Sequence, residues 1–147
     1  MTSASLSIVV VTYNSASAIR RTLEALLGEL AEGDEVIVVD NASADGTPAV
    51  VAELCPAATV LANPGNTGFA AAANQGAAAA TRDVLVLLNP DAAPAPGWGA
   101  AIRSPAGGPY AAWMALVSAD DGRIVNTSGG VVHLTGIAWA GQAIPVR

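Results

Sequence analysis

Residues 7–14 read SIVVVTYN, and this stretch decides the fold class of the chain. A short β-branched run of this kind predicts a strand that is buried on both faces. Apolar residues then recur at helical spacing over residues 18–30, which predicts an amphipathic helix. A second apolar run follows at residues 35–40. Strands that alternate with helices at such short spacing predict an α/β fold with a parallel sheet and right-handed crossovers.

The same alternation continues as far as residue 91. Thr47-Pro48 opens a second helix, because proline is favoured at the first helical position. A weak third strand is predicted at 59–62, an alanine-rich helix at 69–80 and a fourth strand at 84–88. Residues 1–91 therefore form the predicted core of the domain.

Residues 92–147 are less regular, and their first part is rich in proline and glycine. The turn signal Asp120-Asp121-Gly122 predicts a hairpin. The elements predicted here are a short helix at 98–103, a strand at 111–118, its hairpin partner at 123–125 and one weak strand at 131–134. With no internal repeat and no sharp boundary, we expect a single domain over residues 1–147.

The composition excludes several classes of protein. With 52% hydrophobic and 12% charged residues, the chain is not of the disordered class. Its formal net charge of -6 argues against nucleic acid as a partner, because phosphate backbones are bound by basic surfaces. The absence of lysine excludes Schiff-base chemistry and lysine-dependent phosphate loops. A lone cysteine and a lone histidine exclude an internal disulfide and a zinc site built on several such residues.

The N-terminus has no basic region before its apolar run, so it does not read as a signal peptide. The longest apolar runs are far shorter than the ~20 residues that a membrane helix needs. We therefore expect a cytoplasmic protein with no transmembrane segment.

Polar side chains cluster where the predicted strands end. In parallel sheets, ligands bind beyond the carboxyl ends of the strands, so this clustering marks the candidate site. The three clusters are Thr12-Tyr13-Asn14, Asp40-Asn41-Ala42-Ser43 and Asn89-Pro90-Asp91. The first strand is not followed by a Gly-x-Gly-x-x-Gly pattern, which disfavours a dinucleotide cofactor.

The residue types in these clusters suit a nucleotide. Tyr13 offers an aromatic surface for a nucleobase. Asp40 accepts hydrogen bonds from the N3–H of uracil or thymine, or from a ribose hydroxyl. Asp91 suits Mg2+ or Mn2+ that bridges to a diphosphate, because hard divalent cations favour oxygen ligands and keep substrate oxygens in their shell. Two alternatives stay open: Asp40 only caps the turn that follows it, and Asp91 only begins a proline-rich turn.

Residues 63–69, which read NPGNTGF, form a third candidate segment and lead into the alanine-rich helix that carries Asn74. Gly68 and the small alanines let a ligand approach the backbone closely, and the N-terminus of a helix favours an anion. The alternative is an ordinary alanine helix with an asparagine cap.

Taken together and in this order, the segments resemble the N-terminal half of the family 2 glycosyltransferases, which are inverting nucleotide-sugar enzymes of GT-A fold. The matching stretches are 7–14 (SIVVVTYN), 38–47 (VVDNASADGT), 66–69 (NTGF) with Asn74 and Gly76, and 87–91 (LLNPD). The rhamnosyltransferase-like branch is the most similar, because Asn-Pro-Asp there stands in place of the Asp-x-Asp motif. Residues 120–123 and 128–130 resemble the hairpin after that motif, so the resemblance covers about the first 130 residues.

The resemblance implies a GT-A type, Rossmann-like three-layer α/β sandwich with a mostly parallel central sheet. It also implies a UDP- or dTDP-sugar donor, dTDP-rhamnose in the most similar branch, bound with Mg2+ or Mn2+ held by Asp91. The acceptor would be a glycan or lipid-linked molecule of cell-wall polysaccharide biosynthesis, at the inner face of the cell membrane. The implied donor-binding residues are Thr12, Tyr13, Asn14, Asp40, Asn41, Ser43, Asn66, Gly68, Asn74, Asn89 and Asp91.

The sequence departs from the family's pattern at the general base. Inverting transfer needs a group that takes the proton of the acceptor hydroxyl, and the family carries it in a Glu-Asp segment downstream of the hairpin. No acidic residue follows Asp121 in this chain, and Asp120 and Asp121 belong to the predicted turn. We therefore expect a donor-binding half that is truncated at its C-terminus, lacks the base and self-associates through an exposed edge. The alternatives are a non-catalytic interaction module and an unrelated Rossmann-like cofactor domain.

Overall fold

The computed structural model describes residues 4–104, 106, 108, 112–115, 117–119, 124–127, 130–132, 138–140 and 144–145. The chain divides into two compact units, Met1–Ala106 and Gly107–Arg147, which are described separately. The expected single domain over the whole chain stays a prediction. Within the described residues, no helix is long and apolar enough to cross a membrane.

The first unit alternates strands and helices, which confirms the predicted α/β class. Its elements are β1 (Leu6–Thr12), α1 (Ala16–Leu27), β2 (Glu35–Asp40), α2 (Thr47–Leu54), β3 (Thr59–Ala62), α3 (Phe69–Ala79), β4 (Val84–Leu88) and α4 (Trp98–Arg103). Helix α1 begins and ends earlier than predicted. The carbonyl of Ser15 already accepts the amide of Ile19 at 2.8 Å, and the chain leaves the helix at Gly28.

The first unit contains a parallel sheet with the strand order β3-β2-β1-β4. Strands β2 and β3 are added on one side of β1, and β4 returns to the other side. The direction of winding therefore reverses at β1, and ligands of open α/β sheets bind beyond the carboxyl ends of the strands at such a point. The register aligns Thr12 with Asp40 and Val10 with Leu88. The loops after β1, β2 and β4 consequently leave the sheet at the same edge.

The core of this unit holds that edge in place. β1 is buried along its whole length, as its β-branched run predicts. On one face of the sheet, Val9 and Ile37 belong to a buried cluster with Ala72 and Ala73 of α3. Helices α1 and α2 pack against each other, and α1 buries Ile19, Leu23 and Leu26 completely. Because each fully buried aliphatic side chain contributes about 1.5–3 kcal/mol, this packing makes the sheet a rigid support.

Gly76 on α3 lies directly against the sheet, and we expect Gly76→Ala to destabilise the protein. A Cβ at this position would overlap the stiff side chain of Val9, which is 1% exposed. The overpacking should cost about 1–3 kcal/mol of unfolding free energy, although alanine normally favours a helix over glycine. Urea unfolding followed by circular dichroism measures the effect.

The matched control is Gly28→Ala. A Cβ on Gly28 would lie at an ordinary 3.6 Å from the carbonyl oxygen of Ala25, and its backbone is already right-handed. This substitution should stabilise the protein by about 0.4–1 kcal/mol through the unfolded state. Equal effects of the two substitutions would contradict the close approach of α3 to β1.

The second unit contains short strands. They are β5 (Val117–Ala119), β6 (Ile124–Thr127), β7 (Gly130–Val132), β8 (Ala138–Ala140) and β9 (Ile144–Pro145). β6 pairs antiparallel with β5 and β9, and β7 pairs with β8. The hairpin partner near residue 124 is therefore confirmed. The strand predicted at 111–118 is wrong over 112–115, which form no regular element, and two of these strands were not predicted. Residues 120–123, 128–129 and 133–134 of the predicted turn and strand lie outside the described residues.

Candidate functional site

A pocket of about 380 Å³ opens at the carboxyl edge of the sheet, next to the point where the winding reverses. The segments that follow each of the four strands of this sheet contribute residues to the wall of the pocket. The lining residues are Val11, Tyr13, Ser15, Asn41, Asn66, Gly68, Phe69, Asn89 and Pro90. The pocket thus collects the segments that sequence analysis placed at this edge.

The wall of the pocket combines aromatic and amide groups. Tyr13 after β1 and Phe69 at the start of α3 are 51% and 55% exposed. Exposed aromatic side chains beside amides suit a ligand with a flat apolar face and a polar edge. No lining residue carries a positive charge, so the wall offers no cation to an anionic ligand.

Asp40 lies behind the wall rather than on it. Its carboxyl group is 4% exposed, and its Oδ1 accepts hydrogen bonds from the hydroxyls of Thr12 at 2.8 Å and Ser43 at 2.6 Å. Its Oδ2 accepts the amide of Ser43 at 3.0 Å. Asp40 therefore caps the turn, as one of the two interpretations predicts, and Thr12, which is completely buried, orients the cap. One lone-pair position on Oδ2 remains for a further donor.

The turn after β2 is tied to the turn after β1. The Oδ1 of Asn14 accepts the amide of Ala44 at 2.8 Å, and the amide of Asn14 donates to the hydroxyl of Ser43 at 2.9 Å. Both turns contain a residue in the left-handed region, Asn14 at φ 49° and Ala42 at φ 63°. This conformation is costly for alanine, so the hydrogen bonds between the two turns hold them in a shape that the local sequence alone would not favour.

Asp45 caps helix α1 from the neighbouring turn. Its Oδ2 accepts the amide of Ala16 at 2.9 Å, and its Oδ1 accepts the hydroxyl and the amide of Thr47. The hydrogen bond from the Thr47 hydroxyl, assisted by the amide of Ala16, holds the pKa of Asp45 below its usual value. Asp45 lies 29 residues after Ala16 in the sequence, so α1 is capped by a segment that is distant along the chain.

We expect the stability of the protein to fall in acid, and Asp45→Asn to reduce that fall. A carboxyl whose folded pKa is lowered adds stability above its unfolded pKa of about 3.9, and this stability is lost as the pH falls through the folded pKa. Glu35, whose pKa is lowered by the hydroxyl of Ser7, acts in the same direction. Urea unfolding between pH 6 and about pH 2.5 measures the slope. Glu24→Gln, at an exposed position on α1, is the control for the removal of one negative charge.

Asn41 joins the turn after β2 to the loop before α3. Its side chain is 2% exposed. Its Oδ1 accepts the side-chain amide of Asn63 at 2.8 Å and the hydroxyl of Thr67 at 3.1 Å, and its Nδ2 donates to the carbonyl of Gly68 at 3.3 Å. Asn63 also exchanges two hydrogen bonds with Gln75 on α3. This network fixes the loop that carries Asn66 and Gly68 into the wall of the pocket.

Gly68 needs the freedom of glycine, because its φ of 83° lies in the left-handed region. Its amide donates to the Oδ1 of Asn66 at 2.9 Å, so Asn66 rather than Asn74 supports the start of α3. Asn74 is exposed on α3 and does not line the pocket.

Asn89-Pro90-Asp91 follows β4 and reaches the pocket from the side opposite β2. Asn89 and Pro90 line the pocket, and Asp91, which is exposed, follows directly. The carbonyl of Pro90 accepts the hydroxyl of Thr22 on α1 at 2.8 Å. Asp40 and Asp91 thus lie at the same edge of the sheet, as the predicted site requires.

The donor set at this edge fits one divalent cation of the Mg2+ or Mn2+ type. Among the described residues, no group of three or more His, Cys, Asp or Glu side chains could enclose a metal. A hard cation of this type does not need such a cage, because it is held by one or two carboxylates and by substrate phosphates. Asp91 is an exposed carboxylate beside a wall whose lining residues carry no positive charge, which is compatible with that mode of binding.

Comparison with known proteins identifies the family. Residues 7–126 match the sequence profile of Glycosyl transferase family 2. The chain belongs to this family. This membership agrees with the resemblance on which the site residues were predicted; the rhamnosyltransferase-like branch stays a prediction.

Individual relatives of this family 2 domain are larger proteins. The chain is 40% identical over 84 residues to the succinoglycan biosynthesis protein ExoO of Rhizobium meliloti (strain 1021), covering 56% of this chain and 24% of ExoO. It superposes on the mannosyltransferase PcManGT of Pyrobaculum calidifontis, solved in complex with GDP-Man and Mn2+, with a TM-score of 0.65 and 32% identity, covering 74% and 34% of the two chains. For TarS 1-349 of S. aureus in complex with UDP, the TM-score is 0.55 at 26% identity, over 58% and 27% of the chains. The chain thus spans about a quarter to a third of these relatives, and the likeness confirms the GT-A fold.

Sequence reasoning found the clusters but missed the residues that support them. Tyr13, Asn41, Asn66, Gly68 and Asn89 line the pocket, whereas Thr12, Asn14, Asp40 and Ser43 form the bonded turns behind it. Thr22 and Gln75 were missed as supporting residues, and Asp45, Thr47 and Asn63 lay in predicted segments but were given no supporting role. Each bonds to a distant segment, so no local pattern marks this role. That the predicted residues contact a donor stays a prediction.

Proposed function

We propose that this family 2 domain binds a nucleotide-diphospho-sugar together with a divalent cation, as the donor side of an inverting glycosyl transfer. The observation that carries the proposal is the pocket at the winding reversal, which gathers aromatic and amide groups from segments after every strand of the first unit's sheet. The mannosyltransferase neighbour was solved with GDP-Man and Mn2+, and TarS with UDP, which supports a donor of this class.

For the base we propose a pyrimidine, in UDP or dTDP. Tyr13 would lie against the flat face of the base, and Asn41 and Asn66 would meet its polar edge or the ribose. Asp40 would accept the N3–H at the lone-pair position of Oδ2 that the turn leaves unused. Asp40 would then both cap the turn and read the base.

For the diphosphate we propose that Asp91 holds Mg2+ or Mn2+ and that Asn89 contacts the ribose or the phosphates. Once bound, the metal would supply Lewis-acid stabilisation of the charge on the departing diphosphate. The chain's own residues orient the donor: the bonded turns fix the base, and the turn 89–91 fixes the carboxylate. The sugar, for which we propose rhamnose, would project away from the base toward the acceptor.

For the acceptor side we propose a glycan or lipid-linked hydroxyl, with a general base that these 147 residues do not supply. No acidic residue follows Asp121 in the sequence. Transfer by these residues alone should therefore be weak, since inverting transfer needs a group that receives the proton of the acceptor hydroxyl. A lipid-linked acceptor would bring the protein to the inner face of the membrane.

Isothermal titration calorimetry with UDP, dTDP and GDP, each with and without Mn2+, tests the proposal. We expect UDP or dTDP to bind more tightly than GDP, and Mn2+ to increase the affinity. Binding of none of the three in either condition would contradict the proposal and favour the non-catalytic interaction module.

A further inference from the structure

Thr22 contacts the segment that carries Asp91, and the proposed function gives it no role. Its side chain is 1% exposed on the inner face of α1. A threonine inside a helix usually donates its hydroxyl to the carbonyl one turn earlier. Here the carbonyl of Ala18 is 3.5 Å away, whereas that of Pro90 is 2.8 Å away. The shorter distance is that of a good hydrogen bond, so the proton is directed to Pro90.

The far end of the same segment is attached to the loop that follows α1. The two carboxylate oxygens of Glu29 accept the amides of Gly97 at 3.0 Å and Gly99 at 2.8 Å. Arg103 on α4 forms an almost completely buried ion pair with Asp34. Residues 90–103 are therefore fixed at both ends, and Thr22 provides the attachment nearest to the pocket.

We infer that Thr22 is a positioning residue for Asp91: its hydroxyl fixes the carbonyl of Pro90 and thereby the direction in which the next side chain leaves the edge of the sheet. The inference rests on the proposed function for the role of Asp91 as a metal ligand. A single carboxylate that must hold a cation within reach of the phosphates loses metal affinity when its backbone is free to rotate. Thr22 therefore acts through the turn and touches neither metal nor donor.

The test compares Thr22→Val, which keeps the shape but removes the hydroxyl, with Thr22→Ser, which restores it. Mn2+ affinity is measured by electron paramagnetic resonance in the presence of UDP, and metal-free UDP affinity by calorimetry. We expect Thr22→Val to weaken Mn2+ binding about fivefold to tenfold, in line with the loss of one buried hydrogen bond, and to weaken metal-free UDP binding much less. Thr22→Ser should bind Mn2+ as the wild type does.

Ser7→Ala is the control for a general loss of stability. Ser7 is also completely buried and bonded, to Glu35 at 2.6 Å, but it lies at the opposite end of β1. The Ser7→Ala substitution should lower the unfolding free energy of the protein without changing its Mn2+ affinity. Wild-type Mn2+ affinity in Thr22→Val, or an equal loss in Ser7→Ala, would overturn the inference.

Hydrogen exchange separates failure of the inference from failure of the proposed function. The amide of Ala92 donates to the carbonyl of Asn89 at 3.1 Å and reports the order of the turn without any ligand. We expect Thr22→Val, but not Thr22→Ser, to speed its exchange several-fold. If the wild type bound no Mn2+ with UDP, the proposed function would fail, and unchanged exchange at Ala92 in Thr22→Val would separately overturn the positioning role.

Discussion

Asp91→Asn should remove the metal-dependent part of nucleotide binding while leaving the fold intact. Asp91 is exposed, so its loss creates no buried unpaired group and should change stability by less than about 0.5 kcal/mol. Residues that only support a metal ligand contribute about 10–100-fold to metal affinity. Loss of the ligand itself should therefore weaken Mn2+ binding in the presence of UDP by about 100-fold or more. Titration calorimetry with UDP, with and without Mn2+, measures the metal-dependent and the metal-independent parts of nucleotide affinity on one preparation.

Two variants make this experiment specific. Asp91→Glu keeps a carboxylate and should retain part of the metal dependence. Glu24→Gln removes one negative charge from an exposed position on α1 and should leave metal binding at the wild-type level. If Asp91→Asn kept the full gain in affinity on adding Mn2+, the metal would be held elsewhere or by the phosphates alone, and Asp91 would be only a turn residue.

Strands β2, β3 and β4 could be predicted to the residue, and β1 to within one residue, because each is a short apolar run that ends at a polar turn. A strand covered on both faces is a continuous β-branched run that stops at the first polar turn residue, as Glu35–Asp40 does. β4 also ends at a polar turn, although Leu85 and Leu87 on it are exposed. The start of helix α1 was predicted too late because its cap is Asp45, which belongs to the turn after β2. Residues 112–115 are as apolar as a strand but form no regular element, so apolar character alone does not determine a strand.

The site could be predicted as a set of clusters but not as a set of roles. Topology brings the ends of parallel strands together, so residues as distant as Asn41 and Asn89 could be assigned to one pocket. Whether a side chain faces the pocket or the turn behind it depends on contacts between segments, such as the bonds of Asn41 to the loop before α3. Sequence patterns with periods of two to four residues carry no information on such contacts.

Asp40→Ala should be the most destabilising substitution in the site. It would leave the hydroxyl of Thr12, which is completely buried, and the two donors of Ser43 without their acceptor. Each buried donor left unpaired costs about 1–3 kcal/mol, so we expect a loss of about 3 kcal/mol of unfolding free energy. Asp40→Asn should cost less, about 1–2 kcal/mol, because its oxygen can still accept both hydroxyls while its amide opposes the backbone amide of Ser43. Urea unfolding at pH 7 measures both.

The same position separates the two roles proposed for Asp40. Ser43→Ala loosens the cap but leaves the carboxylate, whereas Asp40→Asn keeps much of the cap but replaces the acceptor that would meet the N3–H of the base. If Asp40 reads the base, Asp40→Asn should weaken UDP binding about tenfold more than Ser43→Ala does, even though both proteins stay folded. Equal UDP affinities in the two variants would restrict Asp40 to the turn, and the base would then be held by Tyr13 and the amides of the wall alone.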